Sequence, residues 1–107
     1  MEEIKVNDYM RTYQGDIGKV KTITATGIII EDERHIHFDR VTKHSPNIID
    51  LIEVGDIVGT FDVLHNDIVY IWNEEMLKAL KEDIENGIKI KSIVTHEQFN
   101  STKYRLE

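Results

Sequence analysis

Apolar and polar positions divide the chain into short strands first and a helix later. Residues 8–13 form a first predicted strand, and Gln14-Gly15-Asp16 a turn, since glycine accepts the positive φ of tight hairpins. Residues 17–24 follow, with Val20 and Ile23 as apolar members, and Ala25-Thr26-Gly27 turns the chain again. Residues 27–31 carry Ile28-Ile29-Ile30, a β-branched run suited to a buried strand. Beyond the polar turn Asp32-Glu33, residues 34–38 alternate. Arg34, Ile36 and Phe38 share one face, and His35 and His37 the other.

The middle changes character. Residues 45–52 read as a short helix with Ser45 as N-cap and Pro46 in its first turn; Ile48, Ile49, Leu51 and Ile52 would plug one end of a barrel. Residues 54–64 and 67–72 are strand patterns joined by His65-Asn66. Residues 73–86 have helical periodicity. Asn73 is the N-cap, and Met76, Leu77, Leu80 and Ile84 fall within a ~100° arc. Glu74, Glu75, Lys78, Lys81, Glu82 and Glu85 take the opposite side, with Glu74/Lys78 and Lys81/Glu85 spaced for ion pairs, and Asn86-Gly87 closes the helix. A strand over 88–94 follows. Thr95 and Gln98 then have capping-box spacing before a helical turn over 98–101, and 103–106 suit a last strand.

These elements predict a mainly β (α+β) protein: a small antiparallel barrel or curled sheet, one amphipathic helix and two short helical turns. One domain over 1–107 is expected, in three stretches: hairpins over 1–43, a short helix and second β unit over 44–72, and helix, strand and terminal turn and strand over 73–107. One echo crosses these stretches. Val6-Asn7-Asp8-Tyr9-Met10-Arg11-Thr12-Tyr13 aligns with Val54-Gly55-Asp56-Ile57-Val58-Gly59-Thr60-Phe61, each reading as a turn into a strand. Two such copies are short for a repeat, and similar turns into strands would look alike without duplication.

Charge sharpens the picture. Residues 1–43 hold seven basic and eight acidic side chains, residues 44–87 two and ten, and residues 88–107 four and two. The deficit behind the net charge of −7 therefore lies in the middle. Acidic surface repels a phosphate backbone, so direct nucleic-acid binding is not expected. The same surface suits a basic partner, while plain solubility accounts for it as well. The absence of cysteine removes disulfides, a thiol nucleophile and cysteine zinc sites. No run reaches the ~20 apolar residues of a membrane span, and the first residues do not read as a signal peptide, so a cytoplasmic location is expected.

No catalytic constellation stands out. The six glycines fit no phosphate loop, and Gly15-Asp16-Ile17-Gly18-Lys19 has the wrong spacing for one. His35 and His37, with Asp39 and His44 nearby, form a pair able to face one zinc or iron. Lacking a third ligand at fixed spacing, they read as the polar face of a strand, and no metal or cofactor is expected. His65 and His96 lie at a turn and a helix start, without a recognisable partner for base catalysis. Trp72, Tyr70 and Phe61 have the makings of a stacking platform, but among Ile68, Val69 and Ile71 they read as core.

Residues 8–20 resemble the opening hairpin of SH3-like barrels. Lys43-His44-Ser45-Pro46-Asn47-Ile48-Ile49-Asp50-Leu51-Ile52-Glu53-Val54-Gly55-Asp56 and Ile93-Val94-Thr95-His96-Glu97-Gln98-Phe99 resemble segments of short proteins from phages and prophages of low-GC Gram-positive bacteria. Most of those have no assigned activity, and the helix over 73–86 departs from the shorter ones. The resemblance implies a non-enzymatic accessory protein that binds and blocks a host factor, such as a nucleic-acid-binding defence effector. The expected partner surface is Asp67, Glu74, Glu75, Glu82 and Glu85. The alternative is a homo-oligomeric sponge for a nucleotide-type signal, held by Arg34, Arg40 or Arg105 with Trp72, since arginine recognises phosphate and rings stack on bases.

Overall fold

A computed structural model describes residues 3–102. The chain divides into two units, Met1–Leu51 and Ile52–Glu107. Among the described residues it is mainly β: eight strands in two antiparallel sheets, with two α-helices.

The first unit holds β1 (Tyr9–Thr12), β2 (Ile17–Ile23), β3 (Gly27–Ile30), β4 (His35–His37) and β5 (Val41–Ser45), in the order β4-β3-β2-β1-β5. The first half of β2 pairs with β1 and its second half with β3, and the register shifts between Val20 and Thr22. One strand thus serves two directions of the sheet, and a bulge is the usual means of such a bend. Since β4 and β5 do not pair, the sheet stays open; no barrel closes among the described residues. Ile4, Met10, Val20, Ile28, Ile30, Ile36 and Val41 form the core. Gly27 is required by a close approach: a Cβ there would stand 2.1 Å from the carbonyl oxygen of Ile36.

β5 is a strand that the sequence pattern does not predict. Residues 45–52 hold a strand end and a single 3₁₀ turn, Ile48–Leu51, instead of a helix capped by Ser45. The Ser45 hydroxyl accepts from Asn47 N–H at 3.1 Å and donates to Asp50 at 2.6 Å, so it braces the turn from outside. Leu51 is buried, and its carbonyl accepts from Nη1 of the buried Arg11 at 3.0 Å. A guanidinium has no apolar alternative, so a strand arginine fully removed from water depends on such acceptors.

The second unit has β6 (Ile57–Phe61) at the centre, flanked by β7 (Asn66–Tyr70) and β8 (Lys89–Val94). Helix α1 (Glu74–Glu85) connects β7 to β8. It begins as the sequence predicts, with Asn73 Oδ1 accepting from Met76 N–H at 2.9 Å. Leu80 is buried, Met76, Leu77 and Ile84 are half-buried, and the six charged positions are exposed. Helix α2 (His96–Thr102) follows β8 directly. Thr95 and Gln98 form the expected reciprocal capping box, each side chain accepting the other's backbone N–H at 3.3 Å. The helix starts at His96 rather than Gln98, because a capping box places its threonine immediately outside the first turn. The strand expected over 103–106 lies outside the described residues.

Candidate functional site

The echoing segments fold into the same turn. Asp8 N–H donates to Lys5 C=O, and Lys5 N–H returns a bond to Asp8 Oδ2, both at 3.1 Å. Asp56 N–H donates to Glu53 C=O at 3.1 Å, and Glu53 N–H to Asp56 Oδ2 at 2.8 Å. The residue before each aspartate takes positive φ, Asn7 at 75° and Gly55 at 100°. Each aspartate also accepts from a histidine late in its own unit. In the first unit it is the His44 ring, through Nδ1 at 3.1 Å; in the second it is the His96 backbone N–H, at 3.0 Å. His44 is therefore tied down by its ring, while the His96 ring is left to side-chain partners.

Outside this shared turn the units diverge, most visibly on β7. Opposed residues of an antiparallel pair share a face, so Ile57/Tyr70, Gly59/Ile68 and Phe61/Asn66 lie on one side of the second sheet. Val58/Val69 and Thr60/Asp67 lie on the other, where Val69 borders a small groove with Met76, Ala79 and Leu80 of α1. The helix covers that second face. The first keeps its apolar side chains in water: Ile68 is 82% exposed and Trp72 70%, with Tyr70, Phe61 and Val94 also exposed. Tyr70 and Trp72 meet edge to face at 5.9 Å. These aromatics are thus not core, contrary to the sequence-based expectation. The alternation assigns Val69 and Ile71 inward and sends Ile68, Tyr70 and Trp72 outward. β7 is also an edge strand, with one side unpaired within its sheet. At the hairpin tip Val63 and Leu64 are nearly fully exposed.

No family model, curated protein or solved structure matches this chain.

The acidic residues expected to meet a partner fall into two groups. Asp67 lies within β7 beside Ile68, and Glu74 and Glu75 follow Trp72 in the first turn of α1. Glu82 and Glu85 lie on later turns of the helix. All five are exposed, and among the described residues none forms an ion pair with Lys78 or Lys81, despite the favourable spacing. Their charge is therefore not spent within the helix.

The alternative ligand set is more engaged. Arg34 pairs with Asp32 at 2.7 Å and approaches Asp16 at 3.6 Å; Arg40 approaches Asp16 at 3.9 Å and bonds Gln14. The structure brings the two arginines together, but around a carboxylate that a phosphate would have to displace. Trp72 belongs to the other unit, and Arg105 lies outside the described residues.

His35 and His37 stack edge to face at 5.0 Å on exposed strand positions and gather no carboxylate among the described residues. His44 and Asp8 border a cleft of about 550 Å³ in the first unit. The Ser45 hydroxyl beside them is committed to Asp50, so the trio makes no nucleophile–base pair. Sequence reasoning passed over Glu53 and Glu97. Both carboxylates lie 2.9 Å from Nε2 of His96. No local pattern marked them: the echo starts at Val54, one residue past Glu53, and does not reach Glu97, so it needed the fold to bring residue 53 beside residue 96.

Proposed function

We propose that the protein acts by binding rather than catalysis, holding and blocking a host protein on the β7 face of its second unit. The reading is supported by the exposed row Ile68, Tyr70 and Trp72, with Glu74 and Glu75 following at its Trp72 end. Contiguous exposed apolar surface rimmed by polar groups marks an interaction site. Fully burying one large apolar side chain is worth about 1.5–3 kcal/mol, so three make a credible centre. Glu74 and Glu75 would form the anionic rim, while Asp67, on the other face of the edge strand β7, and Glu82 and Glu85, on the helix over that face, would meet a partner that wraps around the β7 edge. An apolar centre within an acidic rim fits a partner with an apolar pocket inside a basic surface. A defence effector that normally holds nucleic acid has that chemistry, and the phage resemblance favours such a target.

The test is photo-crosslinking in the induced host, with a photoreactive residue at Ile68 or Trp72 and a control at Lys21 in the first unit. One discrete protein adduct should form from positions 68 and 72 and vanish when Glu74 and Glu75 are reversed to lysine. Adducts indistinguishable from the Lys21 control would end this reading. The nucleotide sponge would require Arg34 and Arg40 to release Asp16, and would show instead as a nucleotide liberated on heating an oligomer.

A further inference from the structure

The shared turn provides a control within the molecule. Three residues before the aspartate stands Lys5 in the first unit and Glu53 in the second. Both contribute their backbone N–H and C=O to the turn, which forms with a lysine in one unit and a glutamate in the other. The turn therefore does not require an acid at this position. In the second unit it is nevertheless an acid aimed at His96.

The convergence at His96 is close. Glu53 Oε1 and Glu97 Oε1 each lie 2.9 Å from its Nε2, and all three residues are half-buried. An imidazole nitrogen carries at most one hydrogen, so two carboxylates at this distance share one donor. A cation between them would meet a lone pair from each. The spacing is close to what it needs: two ligands of a tetrahedral zinc, each about 2.1 Å from the metal, stand about 3.4 Å apart, so a shift of about 0.5 Å per carboxylate would admit the ion. The three donor atoms already lie within 4.8 Å of one another. The buried carboxylate of Asp56 sets the frame, accepting from His96 N–H at 3.0 Å and Glu53 N–H at 2.8 Å. Gly55 lets the ring come near, since a Cβ there would stand 3.1 Å from that of His96.

We propose that Glu53, His96 and Glu97 bind one divalent transition metal, with zinc the best match. One imidazole and two carboxylates are donors zinc accepts, and the two negative charges balance the ion. Three protein ligands leave room for water at the metal. The ion would tie the turn before β6 to the first turn of α2. Glu82 and Glu85, exposed and without a histidine, do not offer this donor set.

The experiment is calorimetric titration of the chelator-treated full chain with zinc chloride, with thermal unfolding followed in parallel. One zinc per chain and a zinc-dependent rise in Tm are expected. Glu53→Lys installs the first unit's residue in the second unit's turn. Its circular dichroism should match the parent, while its zinc affinity falls by more than the ~10–100-fold typical of losing an outer-shell partner. Glu97→Gln should do the same, and carries the test if Glu53→Lys does not fold. His35→Gln/His37→Gln should bind normally. No saturable binding by the parent, parental affinity in Glu97→Gln, or loss of binding in the His35/His37 variant would each overturn the proposal.

Discussion

The two units start from the same turn into a strand, and then use their apolar residues differently. The first turns Ile4, Met10, Val20, Ile28, Ile30, Ile36 and Val41 into one core. The second buries Ile52, Val58, Ile71 and Leu80, but leaves Phe61, Val63, Leu64, Ile68, Tyr70, Trp72, Val94 and Phe99 exposed. Five strands can curl over their own apolar face. Three strands and one helix cover one face and leave the other open. A shared start therefore does not imply a shared role: the first unit is built as a self-contained scaffold, and the second carries surface whose burial needs something else.

The sharpest way to break this contrast is to remove the same side chain from each unit. Ile28→Ala empties a fully buried site and should cost about 2–5 kcal/mol in urea denaturation, as large-to-small core changes do. Ile68→Ala, at an 82% exposed site, should change stability by no more than about 0.5 kcal/mol. Similar losses at both sites would mean that Ile68 is packed in solution and that the second unit is closed.

How legible this was varies by residue. Seven of the eight strands among the described residues were readable from alternation and turn chemistry, because hairpins announce themselves locally. Asn73 and Thr95 were visible as caps for the same reason. β5 was hidden, since Val41-Thr42-Lys43-His44-Ser45 has one buried residue and is held chiefly by pairing with β1. Nothing local marks Arg11 as buried, and the distant carbonyl of Leu51 is among the acceptors that make its burial tolerable. On β7, period-two alternation named two faces without saying which one α1 would cover. The acids of α1 were readable as an exposed face. Glu53 and His96 are 43 positions apart in the chain, so their grouping with Glu97 needed the fold.

A second set of changes acts on binding. Trp72→Ala should weaken partner binding by about 2 kcal/mol or more, the loss expected at an aromatic hot spot, while the unfolding midpoint stays put. Reversing Glu75 and Glu82 to lysine should weaken binding by less, chiefly through slower association, and the loss should shrink as salt rises. A salt-independent loss would point to altered folding of α1, and unchanged affinity would remove the acidic rim from the interface. The same reversals should leave zinc affinity alone, which separates the rim from the Glu53–His96–Glu97 cluster.

The smallest effect sits at the tip of the β6–β7 hairpin, where the apolar row begins. Asp62 Oδ1 accepts from the backbone N–H of Leu64 and of His65, each at 2.7 Å. These two bonds, Leu64's first, hold the carboxyl below its ordinary value of 3.8; slight desolvation opposes them, and the nearby His65 assists. A carboxylate with a depressed folded value contributes its stabilisation above the unfolded value and loses it as pH falls through the folded one. Its contribution is therefore complete at neutral pH and fades only below 3.8. The side chain is exposed, so the loss should be local: the Leu64 and His65 amide resonances should shift together with Asp62 in an NMR titration, before global unfolding. Asp62→Asn should abolish that coupled shift while leaving the Ile71 amide unchanged, since Ile71 is anchored to Asp56 at the far end of the hairpin. A midpoint at or above 3.8 would mean that the tip is not held in this turn, and that Val63 and Leu64 are not presented as a fixed extension of the binding row.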